Sequence, residues 1–473
     1  MPISPARAAA FDILIRVERE SSYASELLHS STYETLSTPD HALATELVMG
    51  ILRWRSRLDD EIAGVSSQPL SKLDLEILIA LRLALYQFRW LSRIPQRAAL
   101  HESVELVKRA RKRSAAPFVN AVLRKLSPVP DAFPLCDGAC PERSRRVSSV
   151  VSNTPETLAA NLAHPQWLVE RWSAQFGLAA AEQICRYNQS VPGTTVRLRT
   201  PNAASELSQQ KIALAPGAFL SQARRVECGD VTKTKSFRAG QVVIQDEASQ
   251  LVAALVGRDL PRGTRILDCC AAPGGKTLVL ADHNPEARIT AVDLHPHRAR
   301  VLRKLLEGKA STPAARIQIV AADARHLPFN DSFDRILVDA PCSGTGTLAR
   351  NPEIKWRLQP GDLADLQHRQ LAILRSALAH LAPHGRLIYS TCSLEKEENE
   401  DVIEKVPARN NEVRLLDCST ELDRLKREGD LAIAGPTSLT SGPYLRTIPG
   451  VHPCDGFFAA ILEKAPNSRF DHR

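Results

Sequence analysis

The chain has 473 residues, 44% of them hydrophobic, which is enough to bury more than one core and predicts two or three domains. It contains no run of about 18 apolar residues and no secretory signal pattern at its start, so we expect a cytoplasmic protein without a membrane span. Lysine and arginine number 61 against 53 for aspartate and glutamate, a net charge of +8 that permits a polyanionic partner without requiring one.

Residues 1–127 are predicted to form a helical domain. Apolar residues recur at helical spacing, for example Phe11, Leu14 and Ile15, and residues 38–40 have the composition of a helix start. Clustered positive charge on a small helical domain is typical of a protein that contacts a phosphate backbone, although a solvated helix face explains it equally well. The clustered residues are Lys108, Arg109, Arg111, Lys112 and Arg113.

Residues 128–155 mix proline, serine, glycine and arginine with little periodicity, which is the composition of a linker. Its cysteines, Cys136 and Cys140, are interpreted as incidental. The ten cysteines of the chain lack CxxC pairs, which argues against a disulfide framework and a zinc site. Residues 156–260 pass from helical periodicity into short alternating runs, which predicts a small α+β module.

Residues 261–473 alternate short apolar strands with helical stretches, which predicts a parallel sheet with helices on both faces. The strand segments are TRILDCCA, ITAVDLHP, IQIVAADA, DRILVDAP and GRLIYSTCS. Several of them end in aspartate or cysteine. Ligands of open α/β sheets bind beyond the carboxyl ends of the strands, so these polar residues predict a site rather than a core.

A glycine-containing loop, DCCAAPGGKT, follows the first of these strands. It differs from the nucleotide-triphosphate loop G-x-x-x-x-G-K-[ST] because Cys270 stands where the first glycine is required. The dinucleotide pattern G-x-G-x-x-G is also missing, since Gly274 and Gly275 are adjacent. These two glycines still let the backbone come very close to a ligand, and the helix that follows favours a carboxylate at its N-terminus.

Two further strand ends define the ligand. Asp293 ends the second strand, where a carboxylate can accept hydrogen bonds from both hydroxyls of a ribose. Asp323 follows the third strand, within reach of an adenine. A ligand with a carboxylate, a ribose and an adenine but no phosphate is S-adenosylmethionine, which is the predicted cofactor. No metal is predicted.

These motifs together resemble those of the RNA cytosine-C5 methyltransferases of the Sun (RsmB) type, which methylate 16S ribosomal RNA. The resemblance rests on the glycine loop and on QDEASQLVA, VDLHPHR, DAPCSGTGTLARNPEIKW, YSTCSLEKEENE and DGFFAAIL in the second half of the chain. In the first half, the helical region with FVNAVLR is similar to the NusB antitermination fold.

The resemblance implies a multidomain protein: an all-α NusB-like RNA-binding domain, a small α+β RNA-binding module and a Rossmann-like α/β methyltransferase domain. It implies an S-adenosylmethionine-dependent RNA (cytosine-5-)-methyltransferase that acts on 16S RNA at cytosine 967. The substrate is either the 16S RNA or a small-subunit assembly intermediate. We expect the protein to be a monomer. The cofactor contacts implied are Cys270, Ala271, Ala272, Pro273, Gly274, Gly275, Lys276, Asp293, Asp323 and Asp339.

Two cysteines carry the predicted chemistry. Carbon 5 of cytosine becomes nucleophilic enough to take a methyl group only after a nucleophile adds at carbon 6, and a thiolate suits that step. Cys342 and Cys392 each follow a predicted strand, so both thiols are expected in one cleft. A small buried side chain is the commoner role of a single cysteine, but the contexts PCSG and TCS favour a catalytic pair. The resemblance, and not the spacing, assigns the attack to Cys392 and the release of the methylated base to Cys342.

Other residues have predicted roles beside the thiols. Asp339 is expected to bond the cytosine at N3 and N4, and Lys276 either to lower the pKa of a thiol or to position the loop, with equal weight. Arg350, Lys355 and Trp356 are expected to meet RNA by charge and stacking, although a structural role for Trp356 is equally open.

Two functions outside the methyltransferases remain as alternatives. One is an RNA-binding antitermination or assembly factor with an inert second half, against which the intact Cys342 and Cys392 argue. The other is an ATPase resembling the P-loop class, because DRILVDAP ends a hydrophobic strand in aspartate as a magnesium-binding strand does. The residue at Cys270 argues against the ATPase.

Overall fold

The computed structural model describes residues 3–33, 35–127, 154–307, 316–406, 413–432 and 438–465. Most of the predicted linker, with Cys136 and Cys140, lies outside the described residues. The chain divides into two compact units. The helical unit is Met1–Pro192 with Leu348–Arg357, and the sheet unit is Gly193–Thr347 with Leu358–Arg473.

Helices make up the first unit and flank the sheets of the second. In the helical unit they are α1 Pro5–Glu20, α2 Ala24–Leu28, α3 Thr38–Val65, α4 Leu75–Trp90, α5 Gln96–Arg109, α6 Ala116–Leu126, α7 Pro155–Asn161, α8 Gln166–Phe176 and α9 Leu178–Gln189. The sheet unit continues with α10 Ala203–Gln209, α11 Lys235–Arg238, α12 Glu247–Ala254, α13 Gly275–His283 and α14 Pro296–Glu307. The last four are α15 Ile354–Arg357, which belongs to the helical unit, and α16 Asp362–Ala379, α17 Glu400–Glu404 and α18 Cys418–Arg427.

The helical unit is built around α4. Twelve of the sixteen residues of this helix are buried, which fits a helix surrounded by others. Its buried Arg82 is compensated by Asp59, whose carboxylate lies 2.7 Å away. The predicted start of α3 is confirmed: Ser37 Oγ accepts a hydrogen bond from Asp40 N at 3.2 Å, and Pro39 occupies the first turn. The N-terminal all-α prediction is thereby confirmed.

Helices α7 to α9 pack with the N-terminal helices, whereas the predicted boundary at residue 156 groups them with the middle module. α7 and α9 both contact α3, and Gln189 Nε2 at the end of α9 donates a hydrogen bond to Arg53 O at 3.0 Å. The reason is the buried apolar faces of these short helices, including Leu168 and Trp172, which need a helical partner and find one in the same unit.

Thirteen strands form two sheets in the described part of the sheet unit. They are β1 Thr195–Leu198, β2 Ala213–Pro216, β3 Ala223–Cys228, β4 Val242–Ile244, β5 Arg265–Asp268, β6 Arg288–Asp293, β7 Ile317–Ala321, β8 Phe333–Asp339, β9 Leu381–Thr391, β10 Val413–Leu416, β11 Thr440–Ser441, β12 Tyr444–Thr447 and β13 Phe457–Lys464. The first four make an antiparallel sheet in the order β2-β3-β1-β4, which forms the predicted small module.

The large sheet has the order β11-β12-β13-β9-β8-β5-β6-β7, with β10 beside β13. The five predicted strands are β5 to β9, and they pair in parallel. The sheet as a whole is mixed, because β10 to β13 add an antiparallel edge that the purely parallel prediction did not include. β12 and β13 are joined by a short connection, which permits an antiparallel pair and excludes a parallel crossover.

The large sheet is buried on both faces. Successive residues of its strands enter different hydrophobic clusters: Ile266 and Leu337 belong to one, and Leu267, Ile336 and Val338 to the other. This is the period of two that side chains follow along a strand. None of the helices in the described part of the chain combines the length and hydropathy that a bilayer span requires.

Candidate active site

Cys342 and Cys392 meet at the carboxyl edge of the parallel strands. β8 and β9 lie side by side with Asp339 opposite Ser390, so the loops that follow them leave the sheet at the same place. The sulfur atoms of Cys342 and Cys392 are 3.3 Å apart, although the residues are fifty positions apart in the chain. Both side chains are partly exposed. The structure thus brings the two predicted thiols into contact.

The surroundings of Cys342 shift its pKa. The hydrogen bond between Cys342 and Cys392 is the main cause and burial is the second, and together they raise the pKa of Cys342 well above the usual range of a thiol. Cys342 therefore keeps its proton near neutral pH. The contact between the two sulfur atoms therefore favours the protonated form of Cys342.

Lys276 and Asp339 form an ion pair beside the thiols. Lys276 Nζ donates to Asp339 Oδ2 at 2.7 Å, and Ser390 Oγ donates to Asp339 Oδ1 at 2.9 Å. Burial by itself lowers the pKa of Lys276, but the charge and hydrogen bond of Asp339, followed by negative charge on Cys392, offset it and leave that pKa raised. The site therefore contains a largely buried ammonium group close enough to Cys392 to respond to negative charge there.

The glycine loop is fixed against the end of β6. Ala271 N donates to Val292 O at 2.9 Å, and Ala272 N donates to Asp293 Oδ2 at 3.2 Å. Gly274 has φ +114°, a conformation that side chains rarely adopt, and a Cβ there would lie 2.4 Å from Leu302 Cδ1. Only glycine fits this position, and α13 begins at the next residue.

The two predicted strand-end acids lie on neighbouring strands but differ in burial. Asp293 is buried, and its Oδ1 accepts a hydrogen bond from His295 N at 3.1 Å. Asp323 is more open, and Arg325 Nη2 lies 2.6 Å from its Oδ2. The hydrogen bond of Arg325 is the main cause that lowers the pKa of Asp323. β6 and β7 pair in parallel, so both acids lie at the same edge as the thiols.

A third acid at this edge, Asp268, has no predicted role. It ends β5, and its Oδ2 accepts a hydrogen bond from Thr277 Oγ1 at 2.7 Å. Its Oδ1 is buried and has no hydrogen-bond partner among the described residues. Burial raises the pKa of Asp268 to about 7. The signal that pointed to Asp293, an acid that ends an apolar strand, also applies to Asp268.

The stretch RNPEIKW lies in the helical unit, and the predicted phosphate contact of Lys355 is wrong. Lys355 is 1% exposed, and its Nζ donates to Arg53 O at 2.9 Å and to Ala163 O at 2.7 Å. Burial lowers the pKa of Lys355 well below the usual range of a lysine. Trp356 Nε1 donates to Leu52 O at 2.5 Å, which is the structural role left open for this residue.

The basic cluster near the end of the NusB-like region is partly neutralised. Three of its members form ion pairs with acids of the same unit: Lys108 with Glu105, Arg109 with Asp12 and Lys112 with Asp74. Arg111 and Arg113 are exposed. The predicted RNA contacts of this cluster and of the half-buried Arg350 stay predictions. Within the described residues, no group of three or more His, Cys, Asp or Glu side chains is arranged to hold a metal ion.

Three family models match the chain one after another. They are the NusB family over residues 4–128, the RsmF/B-like ferredoxin-like domain over residues 164–228 and 16S rRNA methyltransferase RsmB/F over residues 259–463. The first and last agree with the predicted NusB-like and methyltransferase domains.

Relatives and solved structures agree with these matches. A probable ribosomal RNA small subunit methyltransferase B from Bacillus subtilis (strain 168) is 34% identical, over 84% of this chain and 87% of its own length. A methyltransferase homolog protein from Pyrococcus horikoshii, with TM-score 0.55 and 26% identity, covers 66% of this chain and 100% of its own. The crystal structure of PH0851 covers 98% of this chain and 100% of its own with TM-score 0.77 and 23% identity, which shows a common fold.

Proposed function

Because the chain belongs to the 16S rRNA methyltransferase RsmB/F family, we propose that it methylates carbon 5 of a cytosine in 16S ribosomal RNA, cytosine 967, with S-adenosylmethionine as the donor. The reaction proceeds through a covalent bond between Cys392 and carbon 6 of the base. The observation that carries this proposal is the pair of thiols, whose sulfurs lie 3.3 Å apart beside the ion pair of Lys276 and Asp339.

Cys392 makes the attack. Its thiolate forms the bond to carbon 6, and the ring electrons move to carbon 5, which then becomes the nucleophile. The ammonium group of Lys276 supports this step, because negative charge on Cys392 is one of the causes that raise the pKa of Lys276. Cys342, whose pKa is raised by its hydrogen bond with Cys392 and by burial, is poorly available as an attacking thiolate.

Cys342 acts in the release of the product. After the methyl group has been added, carbon 5 still carries its hydrogen, and a base must remove this proton before the bond from Cys392 to carbon 6 can break. A thiol with a raised pKa gives a strongly basic thiolate once its own proton has passed to solvent. Removal of the carbon 5 proton by Cys342 restores the aromatic ring and returns Cys392 as a thiolate.

Asp339 holds the base. Its carboxylate accepts a hydrogen bond from the N4 amino group of the cytosine and stabilises a proton at N3 as negative charge builds on the ring. Lys276 and Ser390 already donate to its two oxygens, which fixes the orientation of the carboxylate before the base arrives. Such preorganisation is what makes a polar group effective in the transition state.

The residues at the edge of β5 and β6 fit a methyl donor of this kind. Asp268 Oδ1 is a buried oxygen that lacks a partner among the described residues, so it can accept a hydrogen bond from an amino group of the ligand. Gly274 gives the loop its turn with φ +114°, Asp293 can accept from ribose hydroxyls, and Asp323 can contact an adenine. S-adenosylmethionine bound there supplies the methyl group.

The proposal is tested in cells from which the gene for this chain has been deleted and replaced by a gene for a variant. The 16S ribosomal RNA of these cells is analysed by bisulfite sequencing. Cys392→Ala is expected to abolish the mark at cytosine 967. Cys342→Ala is expected to leave the enzyme trapped covalently on its RNA, visible as a shifted band on a denaturing gel. Cys228→Ala, at an exposed position on β3, is the matched control and keeps the mark.

Three outcomes would contradict parts of the proposal. A trapped adduct in Cys392→Ala and none in Cys342→Ala would reverse the assignment of the nucleophile. A mark at another cytosine would overturn the position. A chain that binds the RNA but leaves it unmodified in every case would be the inert assembly factor.

A further inference from the structure

Glu398 connects the two cysteine loops behind the thiols. Its side chain is fully buried. One carboxylate oxygen, Oε1, accepts a hydrogen bond from Ser343 N at 2.8 Å. The other, Oε2, accepts from Ser393 Oγ at 2.5 Å and also from Ser343 Oγ. Since Ser343 follows Cys342 and Ser393 follows Cys392, one carboxylate holds the residue next to each thiol.

A fourth donor completes the set. Gln370 Nε2, from α16, donates to Glu398 Oε1 at 2.9 Å and to Pro341 O at 3.0 Å, just before Cys342. Four donors are the number that the two oxygens of an ionised carboxylate accommodate. The hydroxyl oxygens of Ser343 and Ser393 are only 3.0 Å apart, and each hydroxyl lies within hydrogen-bond distance of Glu398 Oε2. An amide in place of the carboxylate would turn half of these acceptor positions into donors.

The residue after Glu398 fixes the Cys392 loop independently. Thr391 Oγ1 donates to Asn399 Oδ1 at 2.5 Å, and Asn399 Nδ2 donates to Ser393 O at 2.9 Å. The positions on both sides of Cys392 are therefore bonded to one side chain. Glu398 differs from Asn399 in that it also reaches the Cys342 loop, so it is the link that determines how the two loops lie relative to each other.

We propose that Glu398 is a positioning residue for the transfer reaction, which keeps the Cys342 and Cys392 loops in one fixed register. The inference rests on the proposed function. The attack on carbon 6 needs Cys392 alone, whereas the release of the product needs both thiols at the same base. A looser register therefore slows the release more than the attack.

The first test measures how the reaction divides between adduct and product. In Glu398→Gln we expect kcat to fall about tenfold or more with KM little changed, because hydrogen bonds to a buried charge are lost. The fraction of bound enzyme that is covalently attached to RNA should rise at the same time. A variant that only contains less folded protein would lose kcat without this rise. Glu404→Gln, the same change at an exposed position of α17, should match the wild type.

The second test does not depend on methylation. An aryl arsenoxide condenses with two neighbouring thiols, forming two As–S bonds and releasing water, and it binds most tightly when the thiols are already held together. We expect the affinity of phenylarsine oxide to fall about tenfold in Glu398→Gln, because the two loops are no longer held in place before binding and must be ordered by the ligand. Cys342→Ala should remove the chelate, which identifies the pair that binds.

The outcomes separate the inference from the proposed function. If the wild type makes no 5-methylcytosine, the proposed function fails, and the arsenical affinities still decide whether Glu398 sets the thiol register. Wild-type partitioning and wild-type arsenical affinity in a folded Glu398→Gln protein would overturn the inference. Should that variant not fold, Ser343→Ala and Ser393→Ala, which each remove one hydroxyl donor, must show the same two changes in smaller size, and their absence overturns it as well.

Discussion

Lys276 in the sheet unit and Lys355 in the helical unit are both largely buried, yet their surroundings give them opposite chemistry. Lys276 Nζ lies 2.7 Å from a carboxylate oxygen of Asp339, and its pKa is raised. Lys355 Nζ donates to two main-chain carbonyl oxygens, at 2.9 and 2.7 Å, and burial lowers its pKa well below the usual range. Burial disfavours the charge in both cases, and only an ionised partner restores it.

The comparison shows why a cationic residue near a catalytic motif is not by itself a ligand-binding residue. Lys355 follows Cys342 closely in the chain and was expected to meet phosphate. Its amine instead donates to the carbonyl oxygens of Arg53 and Ala163 in the helical unit, and burial lowers its pKa. Lys276 keeps its charge, so it can act on a thiolate or a base. The two lysines should therefore respond differently to the same substitution.

The largest expected effect is that of Lys276→Met on activity. Removing a preorganised charge next to the reacting groups should lower the single-turnover methylation rate by about 10²- to 10³-fold. RNA binding should change little, and the rate is compared per folded molecule because the loss of the ion pair with Asp339 also lowers stability. Lys396→Met, at an exposed position, is the control. A rate within threefold of the wild type would remove Lys276 from the proposed mechanism.

Lys355→Met should affect stability instead of chemistry. Two buried carbonyl oxygens each lose a hydrogen bond, and Arg53 O keeps the one from Gln189 Nε2, so the free energy of unfolding of the full chain should fall by about 2 kcal/mol. The methylation rate per folded molecule should stay within about twofold of the wild type. Urea unfolding followed by fluorescence measures the first quantity, with the exposed Lys72→Met as control. An unchanged midpoint would mean that water replaces the amine without loss.

The dependence of stability on pH sharpens the contrast. Below the pKa of an unfolded lysine, about 10.4, the unfolded chain binds a proton that folded Lys355 holds less tightly. The stability advantage of wild type over Lys355→Met should therefore rise with pH between 7.5 and 9.5. The rise is at most about 1.4 kcal/mol per pH unit, and the advantage is lost as pH falls toward the folded pKa.

The stability contribution of Lys276 should depend on pH in a different way. Its folded pKa is raised, so its contribution is fully present below the unfolded pKa and is lost only as pH rises through the folded value. The difference between wild type and Lys276→Met should therefore be flat over the same pH range. Urea unfolding of the three proteins at several pH values checks both statements, and equal slopes for the two variants would contradict the opposite pKa shifts of the two lysines.

The smallest expected effect is that of removing exposed arginines on RNA binding. Arg111→Ala and Arg113→Ala should each weaken RNA binding slightly and lower the slope of log affinity against log salt by about 1. Filter binding at a series of salt concentrations measures this slope. Arg16→Ala, which removes an exposed arginine paired with Glu20, serves as the control. An unchanged slope in both variants would leave the cluster as a solvated face.

Local patterns in the sequence determined much of the sheet unit. The five short apolar runs are the parallel strands, because strand formation and burial on both faces are recorded in runs of neighbouring residues. The end of each run showed where polar groups would gather, including Asp293 and Asp339. The special backbone at Gly274 was also local, since a glycine is required wherever φ is positive beside packed side chains.

Only the tertiary structure decided which groups meet. Glu398 gains its importance from donors on three segments, and Asp268 from the burial that leaves one oxygen without a partner in the described chain. The raised pKa of Lys276 and the lowered pKa of Lys355 depend in the same way on groups distant in sequence. The physical reason is that hydrogen bonds and desolvation act over a few ångströms of space, whereas a sequence motif records only neighbours along the chain.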